Sequence, residues 1–292
     1  MKPLFGWLPT QAQIRLILGI NRLRANATER AAFQQQIKTS LKVGFDWEID
    51  TLKDFLKRGP ALEISGKRIL DFGCGLGGAT DYFAQQGASL SVGVDLNQPS
   101  LDEIVALFAD HPDLSVARTP LLANADGARL PFSDNTFDLI SSIYVFEHVG
   151  DVAGVMSECH RTLKTGGKLF IVFPPYYSPW CAHTDDWLAF PWPHVLFSER
   201  AIAETVAIVD AQKHNMAQYN AHAQFPIKPV FDHVNRLLLA EFEAIFEKHQ
   251  WSNIDHRLPA VAEGSSVAWV GKILQSLHRE LFTSTVICTL TK

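Results

Sequence analysis

Residues 69–78 have the sequence ILDFGCGLGG, and this stretch decides the fold of the chain. A short apolar run leads into a glycine-rich turn and then into residues suited to a helix, which predicts a buried strand, a tight turn and a helix. Glycine in such a turn lets backbone amides approach a ligand where a Cβ atom would collide. The stretch therefore predicts a ligand site at the end of a strand.

Two kinds of ligand fit this turn. Gly73, Gly75 and Gly78 match the G-x-G-x-x-G pattern of dinucleotide-binding proteins, and Asp95 follows at about the separation expected for an acid that binds ribose. Asp71, however, places a carboxylate two residues before the first glycine. That charge would repel a pyrophosphate and attract an ammonium or sulfonium group. Asp71 therefore favours a cationic ligand over a nicotinamide cofactor.

Strand and helix patterns alternate between residues 61 and 175, which is typical of βαβ units and a parallel sheet. The predicted strands of this region are Arg68–Phe72, Leu90–Asp95, Leu121–Ala125, Phe137–Ile143 and Lys168–Phe173. The predicted helices of this region are Gly78–Gln86, Pro99–Asp110 and Val152–Leu163. The pattern predicts an α/β fold with a doubly wound sheet.

Less regular segments flank this region, and they suggest how the chain is organised. Residues 1–60 predict an N-terminal helical cap, with helices near 11–24, 28–40 and 48–58. The predicted main domain, 61–292, has a cofactor half at 66–175, an aromatic, proline-rich insertion at 176–197, and helices and last strands at 198–292. Prolines at this density predict an irregular loop on the substrate side. The elements predicted after it are a helix from N-cap Ser198, a helix over 230–249, and strands at 251–258 and 283–290.

Bulk composition is that of an ordinary globular enzyme, with 47% hydrophobic and 20% charged residues among 292. A formal net charge of −5 argues against a nucleic-acid partner, which calls for a basic surplus. No apolar run approaches the roughly 18 residues of a membrane span, and no signal-peptide core is evident, so we expect no stable membrane insertion. The four scattered cysteines lack a C-x-x-C pair, which favours reduced thiols in a cytoplasmic protein.

Acidic residues follow three successive predicted strands, at Asp71, Asp95 and Asp126. Ligands of doubly wound sheets bind beyond the carboxyl ends of the strands. A carboxylate at Asp95 suits the two hydroxyls of a ribose, and one at Asp126 suits an adenine amino group. Each acid alone is equally well explained as a helix cap or turn former. Together they predict a site for an adenosyl group.

Four segments in this order resemble class I S-adenosylmethionine-dependent methyltransferases of the small-molecule type. They are ILDFGCGLGG (69–78), GVD (93–95), ADGARLPFSDNTFDLISSIYVFEHVGD (125–151) and RTLKTGGKLFIVFPP (161–175). The resemblance covers about residues 66–175. It implies a Rossmann-like, seven-stranded sheet that is mostly parallel with its last strand antiparallel. It also implies S-adenosylmethionine as the cofactor.

The resemblance implies roles for particular residues. Asp71 would lie close to the methionine amino group of the cofactor, and Asp95 would hold its ribose. Asp126 and Gly127 would hold the adenine, with Gly127 standing where alanine is common. The implied cofactor-binding residues are Asp71, Gly73, Gly75, Gly77, Asp95, Leu96, Asp126 and Gly127.

Catalysis needs few further groups, because methyl transfer from a sulfonium depends mainly on alignment and the exclusion of water. A hydroxyl acceptor also needs a base. We predict His148, which follows the fourth strand, because imidazole titrates near neutrality. Glu147 and His183 are further candidates. The alternative for Glu147 and His148 is that they cap the next helix or hydrogen-bond the loop.

The aromatic insertion contains the remaining polar residues of interest, His183, Asp185, Asp186 and His194. Their spacing fixes neither a magnesium nor a zinc site, so hydrogen bonding within the loop is favoured and no metal is predicted. The aromatic side chains of the insertion either line an apolar substrate pocket or pack the loop. These are Tyr176, Tyr177, Trp180, Trp187, Phe190 and Trp192.

The sequence thus predicts a methyltransferase acting on a small organic or lipid-like acceptor, most simply at oxygen. Methyl transfer to nitrogen or carbon of a metabolite is an alternative. A second alternative is a non-catalytic S-adenosylmethionine-binding protein that works by association through its N-terminal helices. A third, a nicotinamide-dependent oxidoreductase, is disfavoured by Asp71. The sequence fixes neither the acceptor nor the oligomeric state.

Overall fold

A computed structural model of the chain divides into two compact units. It describes residues 2–23, 41–96, 107, 121–184, 187–188, 190–213, 234–249, 251–260 and 268–292. Unit 1 comprises Met1–Thr39, Pro174–Leu238 and Ala260–Ser284, and unit 2 comprises Ser40–Phe173, Leu239–Pro259 and Thr285–Lys292. The helices predicted at 28–40 and Pro99–Asp110, and the acids Asp185 and Asp186, lie outside the described residues, with the exception of Leu107.

Unit 2 contains a seven-stranded sheet, counted over the described residues, with the strand order β3-β2-β1-β4-β5-β7-β6. The strands are β1 Arg68–Phe72, β2 Leu90–Asp95, β3 Leu121–Asn124, β4 Phe137–Ile143, β5 Leu163–Phe173, β6 Asn253–Arg257 and β7 Val286–Thr291. The first five pair in parallel, whereas β7 runs antiparallel to both β5 and β6. The predicted Rossmann-like fold, with its antiparallel last strand, is confirmed.

Helices cover both faces of this sheet because alternate residues of a buried strand point to opposite sides. The helices of unit 2 are α2 Leu41–Arg58, α3 Gly78–Gln85, α4 Val152–Thr162 and α7 Leu239–Lys248. Ile69 of β1 packs in a cluster with residues of α2 and α3. Phe72, on the other face of β1, contacts Phe146, which in turn contacts Phe242 of α7. Asp71 shares the face of Ile69 and is thereby directed toward α2 and α3.

The structure corrects several predicted elements; the helix predicted near 48–58, for example, begins already at Leu41. The helix predicted over 230–249 begins only at Leu239, because residues just before it form a turn in which Asn235 accepts a hydrogen bond from the Leu237 amide at 3.0 Å and Arg236 has φ +55°. Strand β5 starts at Leu163 rather than Lys168, because Leu163 pairs with Phe137 across an irregular register. The insertion also contains one helical turn, Pro193–Leu196, which we call α5.

Unit 1 has its own hydrophobic core. Its helices are α1 Thr10–Leu23, α5, α6 Glu199–Lys213, α8 Ala268–Leu277 and α9 Arg279–Phe282. Ile14 and Ile17 of α1 pack with Ile202 of α6 in a buried cluster that also contains aromatic residues of the insertion. Ser198 caps α6 as predicted, since its hydroxyl accepts a hydrogen bond from the Ala201 amide at 3.3 Å.

Two expectations from the sequence concern the state of the cysteines and membrane insertion. All four cysteines, Cys74, Cys159, Cys181 and Cys288, are buried thiols without a disulfide. Within the described part of the chain, no helix has both the length and the apolar character that crossing a bilayer requires.

We expect Gly93→Ala to lower the free energy of unfolding by about 1–3 kcal/mol, because close packing between β2 and α3 leaves no room for a methyl group. An added Cβ would lie 2.7 Å from Thr80 Oγ1 and 2.8 Å from Cys74 Cβ. Urea denaturation measures the loss. Gly150→Ala is the control, since nothing lies within 4 Å of its added Cβ. Equal stabilities of the two variants would contradict the prediction.

Candidate cofactor and active site

The glycine turn between β1 and α3 has a backbone shape that requires glycine. Gly73, Gly75 and Gly77 have φ values of +74°, +51° and +81°. A Cβ on Gly73 would lie 2.2 Å from Val145 Cγ2. The Gly73 and Cys74 amides donate to the Val94 carbonyl at 2.8 and 3.0 Å, which ties the turn to the end of β2. These hydrogen bonds hold the turn at the carboxyl end of β1, beside the end of β2.

Three further amides of this turn donate to carboxyl groups of the chain itself, whereas the Gly77 amide donates to the Cys74 carbonyl at 2.7 Å. The Gly75 amide donates to Asp95 Oδ2 at 3.0 Å. The Leu76 and Gly78 amides donate to Glu48 Oε1 and Oε2, each at 2.8 Å. A phosphate bound here would have to displace these carboxylates, whereas a cation would be attracted to them. The geometry thus agrees with the preference for a cationic ligand drawn from Asp71.

Asp71 is buried within β1, one residue before the strand ends, rather than after it. Thr80 Oγ1 donates to Asp71 Oδ2 at 2.6 Å. Burial is the main reason that the pKa of Asp71 is raised to about 7, and the charge of Asp95 also raises it. The hydrogen bond from Thr80 lowers this pKa but does not offset the effect of burial. Loss of hydration likewise raises the pKa of Glu48 to about 8, opposed by its two amide donors and reinforced by Asp71 and Asp95. No described cation lowers the pKa of either group. Both carboxyl groups therefore hold a proton more readily than free ones, and a bound cation such as the ammonium or sulfonium group of S-adenosylmethionine would favour their ionised forms.

The residues predicted to hold the adenosyl part lie at the ends of β2 and β3. Leu96 directly follows Asp95 and is 73% exposed. Asp126 is also exposed, and its Oδ1 accepts a hydrogen bond from the Ala128 amide at 3.0 Å, which is the turn-forming role. Gly127 is explained by packing, because a Cβ there would lie 2.3 Å from Phe72 Cζ. An adenine-binding role of Asp126 remains a prediction.

The predicted catalytic pair lies in the 3-10 turn Phe146–His148 that follows β4. Glu147 is buried, and neither of its carboxylate oxygens has a hydrogen-bonding partner among the described residues. This burial raises the pKa of Glu147 to about 8. His148 is exposed. Neither side chain caps α4, because Asp151 does so through a 2.9 Å hydrogen bond from the Gly154 amide. The structure therefore removes the helix-capping alternative.

The histidines of the insertion belong to unit 1, whereas Glu147 and His148 belong to unit 2. His183 has φ +50°, and its amide donates to the Trp180 carbonyl at 3.0 Å. His194 is buried and stacks on Tyr177, and burial lowers its pKa to about 4. A neutral imidazole in this setting suits packing within the unit.

Several aromatic residues of the insertion pack inside unit 1. Phe190 belongs to its buried cluster, and Tyr176 and Trp187 pack against that cluster. The Trp192 indole donates to the Leu281 carbonyl at 3.0 Å and its ring contacts Phe282. Of the two sequence-based interpretations, the structure supports packing for these residues.

Residues 70–171 match the family model of the methyltransferase domain. This segment contains the glycine turn, Asp95 and the Glu147–His148 pair. The predicted resemblance to a methyltransferase is confirmed over this segment.

Among curated proteins, the chain is similar to ubiquinone biosynthesis O-methyltransferases. It is 32% identical over 108 residues to the protein of Pseudomonas aeruginosa strain LESB58, covering 37% of this chain and 44% of that protein. It is 36% identical over 109 residues to that of Paracidovorax citrulli, covering 37% and 43%. The chain thus spans less than half the length of these relatives.

Solved structures share the fold. Phosphoethanolamine N-methyltransferase 2 of Haemonchus contortus, in complex with S-adenosyl-L-methionine, matches with a TM-score of 0.53 and 17% identity over 83% of this chain and 52% of that one. A SAM-dependent methyltransferase from Archaeoglobus fulgidus matches with a TM-score of 0.51 and 16% identity over 89% and 98%. Likeness at this identity concerns the arrangement of the sheet and its helices.

We expect Asp71 to make a contribution to the free energy of unfolding of the unliganded protein that falls as the pH rises from about 4 to about 7. In that range folded Asp71 keeps a proton that the unfolded chain has lost, since its pKa rises from 3.8 to about 7 on folding, and so a higher pH favours unfolding. Asp71→Asn should flatten this slope by about 1–3 kcal/mol across the range.

Urea denaturation at several pH values measures the slope. Asp126→Asn is the control, because it removes an exposed acid from the turn after β3. If Asp71→Asn and the wild type lose stability in parallel, Asp71 does not bind a proton on folding.

Proposed function

We propose that the chain is a methyltransferase that transfers a methyl group from S-adenosylmethionine to a small organic or lipid-like acceptor, most simply at oxygen. The observation that carries this proposal is the glycine turn of the methyltransferase domain, whose amides are held by the carboxylates of Glu48 and Asp95. This arrangement disfavours a phosphate and leaves negative charge for a cation. It separates a sulfonium cofactor from a dinucleotide on physical grounds.

In this proposal, different residues of the site bind different parts of the cofactor. When bound, the cofactor supplies a methyl group already activated on a sulfonium, so the chain needs to align the reactants rather than activate the donor. Asp71 and Glu48 ionise in favour of a cationic ligand, and Gly73 lets the turn pack closely against Val145. Asp95 ends β2, where one of its oxygens accepts a hydrogen bond from the Gly75 amide, and in this proposal it binds the ribose.

His148 is the favoured proton acceptor for a hydroxyl nucleophile. A base must be unprotonated before the transfer, and a carboxyl group with a pKa of about 8, like that of Glu147, is mostly protonated at neutral pH. His148 lies next to Glu147 but is exposed, and a neutral imidazole takes up a proton near neutrality. His183 of unit 1 remains a further candidate.

Similarity to ubiquinone biosynthesis O-methyltransferases supports oxygen as the acceptor atom and an apolar acceptor. The family model of the methyltransferase domain covers residues 70–171, which include the cofactor half of the sheet. We therefore propose the acceptor class from this similarity alone.

Transfer is tested by incubating the protein with S-adenosylmethionine labelled in its methyl group and with a cell extract. We expect label in the lipid or small-molecule fraction and none in protein or RNA. The chemical shift of the labelled methyl group in the isolated product distinguishes O-methyl from N-methyl and C-methyl. Binding of the cofactor without label in any fraction would favour the non-catalytic alternative. Binding of NAD without binding of S-adenosylmethionine would contradict the proposal.

We expect His148→Ala to lower kcat by about 10²–10⁴-fold with little change in the Kd of the cofactor, because it removes the base and leaves the glycine turn intact. Glu147→Gln tests the neighbouring carboxyl group in the same assay. His160→Ala is a control for loss of a histidine, since His160 lies on α4 and packs against Trp251. Full turnover in His148→Ala, with a large loss in Glu147→Gln, would assign the base to Glu147.

A further inference from the structure

Glu48 lies on α2, outside the segment that matches the methyltransferase domain, yet it reaches into the glycine turn. Each of its carboxylate oxygens accepts one backbone hydrogen bond, from Leu76 and from Gly78. A Cβ on Gly75 would lie 2.5 Å from Glu48 Oε1, and one on Gly78 would lie 2.9 Å from Glu48 Cβ. Gly75 therefore makes room for this side chain, and Gly78 makes room both for it and for the Phe45 carbonyl oxygen, which would lie 2.4 Å from the added Cβ.

Among the described residues, the titratable groups that interact electrostatically with Glu48 are two aspartates and one thiol. Asp71 projects from β1, Asp95 from the end of β2, and Cys74 from the turn itself, and the charges of the two aspartates disfavour ionisation of Glu48. The pKa of the Cys74 thiol is raised chiefly by burial and further by all three carboxylates. On α2 itself, Asp50 is paired with Lys53 on the exposed side of the helix.

We propose that Glu48 is a cofactor-positioning residue: its carboxyl group fixes the glycine turn and, with Asp71 and Asp95, presents the negative charge that the cationic cofactor neutralises. The proposal names S-adenosylmethionine and so rests on the proposed function for the identity of the cofactor. It follows that cofactor binding is coupled to a proton. The cation favours the ionised carboxyl groups, and the proton held by Glu48 or Asp71 in the unliganded protein passes to the solvent.

The variant Glu48→Gln separates the effect of the charge of Glu48 on cofactor binding from the effect of its size and shape. Glutamine has nearly the same size, and its single carbonyl oxygen can accept one of the two amide hydrogen bonds. It carries no charge and releases no proton. Asp50→Asn is the matched control, because it removes an acid from the exposed side of the same helix.

The experiment is isothermal titration of the full chain with S-adenosylmethionine and with S-adenosylhomocysteine, between about pH 6 and pH 7.5, where an α-amino group is still largely protonated. Repeating each titration in buffers of different ionisation enthalpy gives the number of protons released. We expect the wild type and Asp50→Asn to release protons on binding and to bind more tightly as the pH rises. We expect Glu48→Gln to bind about tenfold more weakly, with a smaller proton release and a flatter pH dependence.

The outcomes distinguish this inference from the proposed function. Wild-type affinity and proton release in Glu48→Gln would overturn the positioning role while leaving the methyltransferase intact. A lower melting temperature with unchanged proton release would assign Glu48 a structural role only, which also overturns the proposal. If Glu48→Gln does not fold, the titration of the wild-type protein still tests the proposal. Cofactor binding by the wild type without proton release across this pH range contradicts it. Failure of the wild type to bind the cofactor at all counts against the proposed function instead.

Discussion

Backbone amides of one glycine turn meet carboxylates from two other elements, and the rest of the site depends on this contact. Glu48 of α2 takes the amides of Leu76 and Gly78, and Asp95 at the end of β2 takes that of Gly75. Because these hydrogen bonds connect side chains of two other elements to one backbone turn, they hold α2 and the carboxyl ends of β1 and β2 together. The turn is consequently shaped before any ligand arrives, which lowers the entropic cost of binding.

The same contact concentrates negative charge where water is scarce, and the unliganded fold is less stable for it. Raised pKa values of Asp71 and Glu48 express that cost, since each group gives up part of its charge when it is buried. A cationic ligand offsets the repulsion among these carboxyl groups. Binding therefore recovers part of the free energy that their burial cost. Strain of this kind is common where function rather than stability has fixed the residues.

The sequence predicted those parts of the molecule that are encoded locally. Strand β1 and Asp71 lie inside one contiguous motif, so their roles followed from spacing and charge. Glu48 was missed because it lies about 20 residues before the motif, on a helix whose pattern marks only an apolar face. The wrongly predicted start of α7 has a similar origin, since apolar residues before Leu239 continue the helical period. The side chain of Asn235 accepts a hydrogen bond from the Leu237 amide in a turn, and the φ of Arg236 lies outside the helical region, so the helix begins later.

The position of β7 has a consequence for how the chain folds. β7 inserts between β5 and β6, and Val286 pairs with Phe173, so this ladder joins residues more than a hundred positions apart. Much of unit 1 lies in the chain between them. Closing so long a loop costs entropy and makes the pairing slow, unless the intervening segment has already collapsed and brought its ends together. Until that step is complete, β5 presents an unpaired edge, which makes the partly folded chain prone to aggregation.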